Sequence, residues 1–181
     1  MSKFDTKWSF INESDLIPEG FCFSGISAGL KTSKKKDLAL ILAPEGSICS
    51  GMFTQSTVRA SCVEICEQRI KKRSGLIRAI LINSGHANAC TGNFGTQHFA
   101  IATSKVSELL GIEEDEVLMC STGVIGVPIP INYLVQNLPK LVDELKINSF
   151  QNAAEAILTT DLTCKKIAIE TNIEGRKIKI A

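Results

Sequence analysis

Neither sign of charge prevails in this sequence. Lys and Arg number 20 against 19 Asp and Glu, a formal charge of +1, so no global field draws in nucleic acid or acidic lipid. Any anionic ligand has to be held locally. Histidine is nearly absent: His86 and His98 are the only two. No cysteine pair has C-x-x-C spacing, and the nearest pair, Cys62 and Cys66, has no His beside it. A zinc site is therefore not expected. The longest apolar runs, residues 38–43 and 76–82, fall far short of the length that crosses a bilayer. No membrane partner is expected either. Residues 1–20 contain no apolar stretch of signal-peptide type. With seven cysteines, an odd number, this points to a reducing, cytoplasmic compartment in which most thiols are buried and unpaired.

What is present is an ordinary globular balance, 44% apolar and 22% charged over 181 residues. That is enough chain for one self-sufficient core. The reading is an N-terminal arm over residues 1–20 and a single α/β domain over 21–181. Organised structure is expected after the turn at Pro18 to Gly20. Residues 21–30 and 38–43 read as two strands, and the lysines at 34–36 between them as a solvated loop with an open option of anion contact. Residues 48–54 read as a third strand of an antiparallel meander. Ser61 is placed to cap a helix carrying Cys62, Ile65, Cys66 and Ile70 on one face, with the basic run 69–73 at its C-terminal end.

Gly75 ends that helix, and residues 76–82 form a strand candidate. A second helix carries Phe99, Ala102, Val106 and Leu109, with Gly111 as its left-handed cap. A strand at 117–120 follows. A third helix begins near Pro130, has Leu134, Leu138, Leu141 and Leu145 as its stripe, and is expected to kink or split at Pro139. Residues 150–158 fit a fourth helix. The tail alternates at period two on both sides of residues 172–175, a hairpin.

Two small-residue segments, NSGHANACTG at 83–92 and CSTGVIG at 120–126, read as loops between a strand and a helix, where α/β proteins place ligands. The first matches neither G-x-G-x-x-G nor a Walker A. His86 within it is open between a general base and an ordinary hydrogen-bonding residue. In the second, the Thr122 hydroxyl and the unobstructed Gly123 amide are the equipment of an oxyanion hole, or else part of a turn that caps a helix. Thr159-Thr160-Asp161 is similarly open between a helix end and a substrate contact. No nucleophile with a base beside it is evident, so the local picture is a stabilising half-site without an attacking group.

Six segments taken together resemble the α chain of the ornithine acetyltransferase (ArgJ) family. They are FCFSGISAGLK (21–31), DLALILA (37–43), GMFTQSTVRASCV (51–63), ILINSGHANACTG (80–92), CSTGVIG (120–126) and AAEAILTTD (153–161). The resemblance implies an α-β-β-α sandwich, two central β layers between helical layers, completed by a β chain cut from the same precursor. It implies transfer of an acetyl group from N-acetylornithine to glutamate by a ping-pong mechanism, with the β chain's N-terminal Thr as nucleophile. Some members also accept acetyl-CoA as donor, and no cofactor is implied. Thr122 and Gly123 match the family's oxyanion pair, and Thr159 matches a substrate-binding position; no nucleophile and no metal ligand falls in this chain. An α2β2 heterotetramer is the family-level expectation.

The family's α chain continues past such a hairpin into a Gly-rich stretch with a substrate-contacting Lys and an Ala-Thr junction, none of which precedes Ala181. Two other readings stand beside this one: a self-processing aminopeptidase-type hydrolase of the same fold, and a non-enzymatic binding module. The resemblance predicts that the 181-residue chain alone transfers no acetyl group; robust turnover of N-acetylornithine by the isolated chain would overturn that.

Overall fold

The computed structural model describes residues 8–10 and 17–181. Its elements run β1 (Ser9–Phe10), β2 (Cys22–Ile26), β3 (Leu38–Leu42), α1 (Ser61–Lys72), β4 (Ala79–His86), α2 (Asn93–Leu110), β5 (Val117–Val124), α3 (Ile131–Asp143), α4 (Phe150–Ala156), β6 (Ile169–Ile173) and β7 (Arg176–Ile180). They form a mixed α/β fold with two sheets. A four-stranded sheet has the order β2-β3-β4-β5, and a three-stranded one the order β1-β6-β7.

In the larger sheet β2, β3 and β4 are antiparallel neighbours, whereas β5 lies parallel to β4. Parallel neighbours need a long crossover, and α2 supplies it. Leu40, Leu81 and Met119 stand side by side across three strands. They are fully buried with Phe99 and Val106 of α2 and Leu134, Leu138 and Leu141 of α3. Adjacent strand residues point to opposite faces, so Ala39 looks the other way. There it joins Phe23 and the α4 residues Ala153 and Ala156 in a second cluster. The helix comes very close to β2: a Cβ on Gly25 would fall 2.1 Å from the Asn152 carbonyl oxygen. Glycine at 25 is what lets α4 lie on the sheet.

Several expectations are corrected. Residues 48–54 form no strand, only an isolated bridge between Ile48 and Leu76, because β4 occupies the edge of β3 where a third meander strand would pair. The strand expected at 76–82 begins later and runs four residues further, to His86, while the strand expected to stop at Cys120 runs to Val124. Residues 83–86 of the first supposed loop and 120–124 of the second are therefore paired strand.

Ser61 does not cap α1. The cap position is Ala60, and the Cys62 N–H is met by Asn88 Oδ1 at 2.9 Å. Asn88 also donates from Nδ2 to the Gly95 carbonyl at 2.9 Å, joining the starts of α1 and α2. Pro139 sits inside α3 without splitting it. Its missing N–H costs one bond, which the buried Leu134, Leu138 and Leu141 outweigh. Of the arm expected over residues 1–20, residues 1–7 and 11–16 lie outside the described residues. Within it, Ser9 and Phe10 pair with Glu170 and Ile169, so the arm contributes a strand.

Other expectations hold. Gly111 caps α2 at φ 65°. The tail hairpin pairs Ile169 with Ile180 and Thr171 with Ile178. The basic end of α1 meets the acidic run at 114–116: Lys72 pairs with Asp115, Arg73 with Glu116 and Arg69 with Glu114. Among the cysteines only Cys62 and Cys66 are buried; Cys90 and Cys120 are exposed, contrary to the expectation for most of them. Burial pushes the Cys62 thiol up to about 11 and the Cys66 thiol up to about 12. Both stay protonated at neutral pH and inert as nucleophiles.

Leu138→Ala removes a fully buried side chain where α3 meets the sheet. Chemical denaturation is expected to show a loss of about 2–5 kcal/mol.

Candidate functional site

The site begins where two parallel strand ends press together. Gly85 of β4 lies opposite Gly123 of β5. Gly123 has φ 130°, and a Cβ there would sit 2.3 Å from the Gly85 carbonyl carbon. Gly85 has φ 114°, and its Cβ would meet Lys31 Cγ at 2.9 Å and the Leu30 carbonyl oxygen at 3.1 Å. Both positions exclude a side chain twice over, by backbone conformation and by space. Asn83 fastens the same ends. Its Nδ2 donates to the His86 carbonyl at 2.8 Å, and its Oδ1 accepts the Ser121 hydroxyl at 2.6 Å.

The β2–β3 connection folds over this pair around one carboxyl group. Asp37 is fully buried. Its Oδ1 accepts the Ala28 N–H at 2.6 Å, and its Oδ2 accepts the Leu30 and Lys31 N–H groups at 2.7 and 2.9 Å. Its own carbonyl accepts the Ser84 N–H at 2.9 Å. The Asp37 side chain thus shapes the turn, and its backbone docks the turn onto β4. Lys31 then reaches across, donating from Nζ to the Leu158 carbonyl at 2.7 Å. Ser84 Oγ donates to the Ala156 carbonyl at 2.5 Å. These two bonds hold the C-terminal end of α4, from which Thr159 follows.

A cleft of about 530 Å³ results, lined by Lys31, Gly85, Thr122, Gly123, Val124, Thr159 and Thr160. Thr122, Gly123 and Thr159, singled out separately in the sequence, therefore stand around one space. Thr122 and Gly123 occupy the end of an edge strand rather than a loop. His86 does not line the cleft. A second cavity of about 560 Å³ shares Lys31 and Thr159 and extends past Lys34, Lys35 and Asp161. Lys36 of the same run is tied to Asn152 Oδ1 and Glu155 Oε2 at 2.6 and 2.8 Å. The lysine run is thus only in part the solvated loop expected of it. Burial lowers the affinity of the Lys31 amine for its proton, with Lys35 acting in the same direction and Asp37 opposing.

Sequence reasoning missed Asp37, Asn83 and Lys31. The signal available was an Asp at the start of an apolar strand, directly after a lysine-rich turn (31–36), an arrangement that is common and has no fixed motif. Among the described residues no group of acidic, His and Cys side chains is arranged to hold a metal ion, and no helix is long and apolar enough to cross a membrane.

Fold and cleft together define a mixed α/β chain with a glycine-walled site, edged by threonine hydroxyls, at the paired ends of two parallel strands. The ArgJ family model matches residues 22–181. An arginine biosynthesis bifunctional protein ArgJ from Prochlorococcus marinus subsp. pastoris is 76% identical over 171 residues, 94% of this chain and 42% of that protein. The protein of that name from Synechocystis is 42% identical over 173 residues, 96% of this chain and 42% of the relative.

Among solved structures, the ArgJ protein of Bacillus halodurans superposes with TM-score 0.88 at 28% identity, over 98% of this chain and 92% of that one. Ornithine acetyltransferase of Mycobacterium tuberculosis, complexed with ornithine, gives 0.84 at 29% identity, over 96% and 93% of the two chains. The chain belongs to the ArgJ family. It spans about 42% of the length of these two curated relatives.

Asp37→Asn replaces a carboxylate oxygen with an amide donor facing backbone donors. A loss of about 3 kcal/mol in chemical denaturation is expected, since buried N–H groups are left unpaired.

Proposed function

We propose that this chain is the α part of a glutamate N-acetyltransferase that moves the acetyl group of N-acetylornithine to glutamate, with acetyl-CoA as a second donor. The observation that carries the reading is the meeting of Thr122, Gly123 and Thr159 around one cleft, although Thr159 is far from the other two in sequence. Family membership supports it, as does the ornithine complex of the Mycobacterium tuberculosis relative.

In this reading the nucleophile is the N-terminal Thr of a β chain made from the same precursor, whose own amine takes the hydroxyl proton. Attack on the acetyl carbonyl gives a tetrahedral intermediate with a negative oxygen. The Thr122 hydroxyl and the Gly123 N–H face that charge. Strand position favours this role, because β5 is a sheet edge and an edge strand leaves alternate N–H groups without a ladder partner. The absence of a side chain at 123 lets a substrate oxygen approach the backbone. The C–N bond then breaks and ornithine leaves with the proton. The amine of glutamate attacks the acyl ester to give N-acetylglutamate and restore the Thr.

Thr159, across the cleft, contacts the amino-acid part. The acetyl group passes through an ester on the protein itself, so the cycle requires no cofactor. An α2β2 assembly in the cytoplasm completes the proposal.

The test is an acetyl-transfer assay on the whole gene product with glutamate, then water alone, as acceptor. Transfer to glutamate far above hydrolysis is expected; hydrolysis at an equal rate would point instead to an aminopeptidase-type hydrolase. In the same assay Thr122→Ala should lower kcat on the order of 10²- to 10³-fold with the fold intact by circular dichroism. An unchanged kcat would remove Thr122 from the mechanism.

A further inference from the structure

Thr122 and Thr159 belong to different elements, and their separation is not set by chain continuity. Thr159 lies just beyond α4, which has only seven residues. Its closing backbone bonds, Ile157 N–H to Ala153 and Leu158 N–H to Glu155, are both long at 3.3 Å. A helix end of this kind frays unless its carbonyls are taken up by other groups. Ser84 takes up the Ala156 carbonyl at the helix end, and Lys31 takes up the Leu158 carbonyl two residues past it, both from the opposite wall.

Of the two, Lys31 acts on the residue directly before Thr159. It is also fixed at three points. Its N–H is held by Asp37 at 2.9 Å, its stem lies against Gly85, and its ammonium ends on Leu158 at 2.7 Å. Gly85 is in turn the neighbour of Gly123. A single side chain therefore spans from Gly85, on the strand paired with the one that carries the oxyanion donors, to the segment that carries Thr159.

We propose that Lys31 is a positioning residue that sets Thr159 at its working distance from Thr122 by gripping the Leu158 carbonyl across the cleft. This rests on the acyl-transfer reading above. Lys31 does not touch the reacting atoms in this scheme. Its loss loosens the amino-acid side of the cleft and leaves the oxyanion side in place.

The experiment is a set of steady-state kinetics on the assembled two-chain enzyme with N-acetylornithine and glutamate. Lys31→Met keeps the stem and removes the ammonium. KM for N-acetylornithine should rise about tenfold or more while kcat stays within about threefold, the pattern of lost binding rather than lost transition-state contact. Lys31→Arg, which keeps a donor for Leu158, should recover most of the KM.

Because Lys31 works through Thr159, Lys31→Met added to Thr159→Ala should raise KM little beyond Thr159→Ala alone. If Lys31→Met does not assemble, the same cycle is run with Lys31→Gln, whose shorter, uncharged side chain gives up the reach to Leu158, and the same non-additivity is required. An unchanged KM, a fall confined to kcat, or KM effects that multiply independently would each overturn the proposal. A wild-type enzyme with no acetyl transfer would defeat the functional reading itself. An active wild type with unaltered Lys31 variants would defeat this inference alone.

Discussion

The close contact of Gly85 with Gly123 is the constraint on which the site depends. Two parallel strands run on together past the point where the core beneath them ends, and at their tips there is room for backbone only. From that contact the rest follows in order. Because residue 85 has no side chain, the Lys31 stem can lie against β4. Because Lys31 lies there, its ammonium reaches the far wall of the cleft. Because residue 123 has no side chain, an edge-strand backbone is open toward the space between the walls. A methyl group at either position would separate strands whose pairing orders both walls at once.

Asp37 and Lys31 illustrate two uses of charge inside a near-neutral molecule. The Asp37 carboxyl is fully buried and organises three backbone donors, so it works as the centre of a turn. Lys31 is only partly buried, and its ammonium ends on a single carbonyl. Elsewhere, charge is used between elements. The basic end of α1 is matched by the acidic residues before β5, with Arg69 donating to the Glu114 and Val117 carbonyls at 2.6 and 2.7 Å and lying 4.7 Å from the centre of the Phe99 ring. These contacts brace the far end of β5, so the strand is fixed at its start by ions and at its tip by glycine.

Much of this was legible in the sequence where one element answers to one local pattern. The leucine stripe of α3, the glycine cap of α2 and the alternation of the tail each follow from periodicity and turn chemistry, and each appears in the fold. Thr122 and Gly123 were legible as candidates because a hydroxyl and a glycine adjoin in a short segment, while Thr159 was picked out of Thr159-Thr160-Asp161 by the family resemblance. Their meeting was not, since it depends on α4 crossing β2 at Gly25. The strand ends at 83–86 and 121–124 looked like loops because Asn, Ser, Gly and Thr are common in turns. Parallel pairing and fastening by Asn83 override that preference. Residues 48–54 failed in the opposite sense: the local pattern suits a strand, but β4 takes the side of β3 where it would pair. Lys31 and Asp37 were invisible as partners because their roles lie in contacts with distant backbone, on Leu158 and Ser84.

The start of α1 shows how one side of the sheet is joined together. A helix ordinarily carries its own N-terminal cap, so its first turn can form as soon as that stretch of chain exists. Here the acceptor for the Cys62 N–H is Asn88, 26 positions later, beyond the whole of β4. The first turn of α1 is therefore completed by chain that lies beyond β4, and the same Asn88 side chain holds the start of α2. One amide thus ties two helix starts to the segment that follows a strand, so this side of the sheet is joined through contacts far apart in sequence.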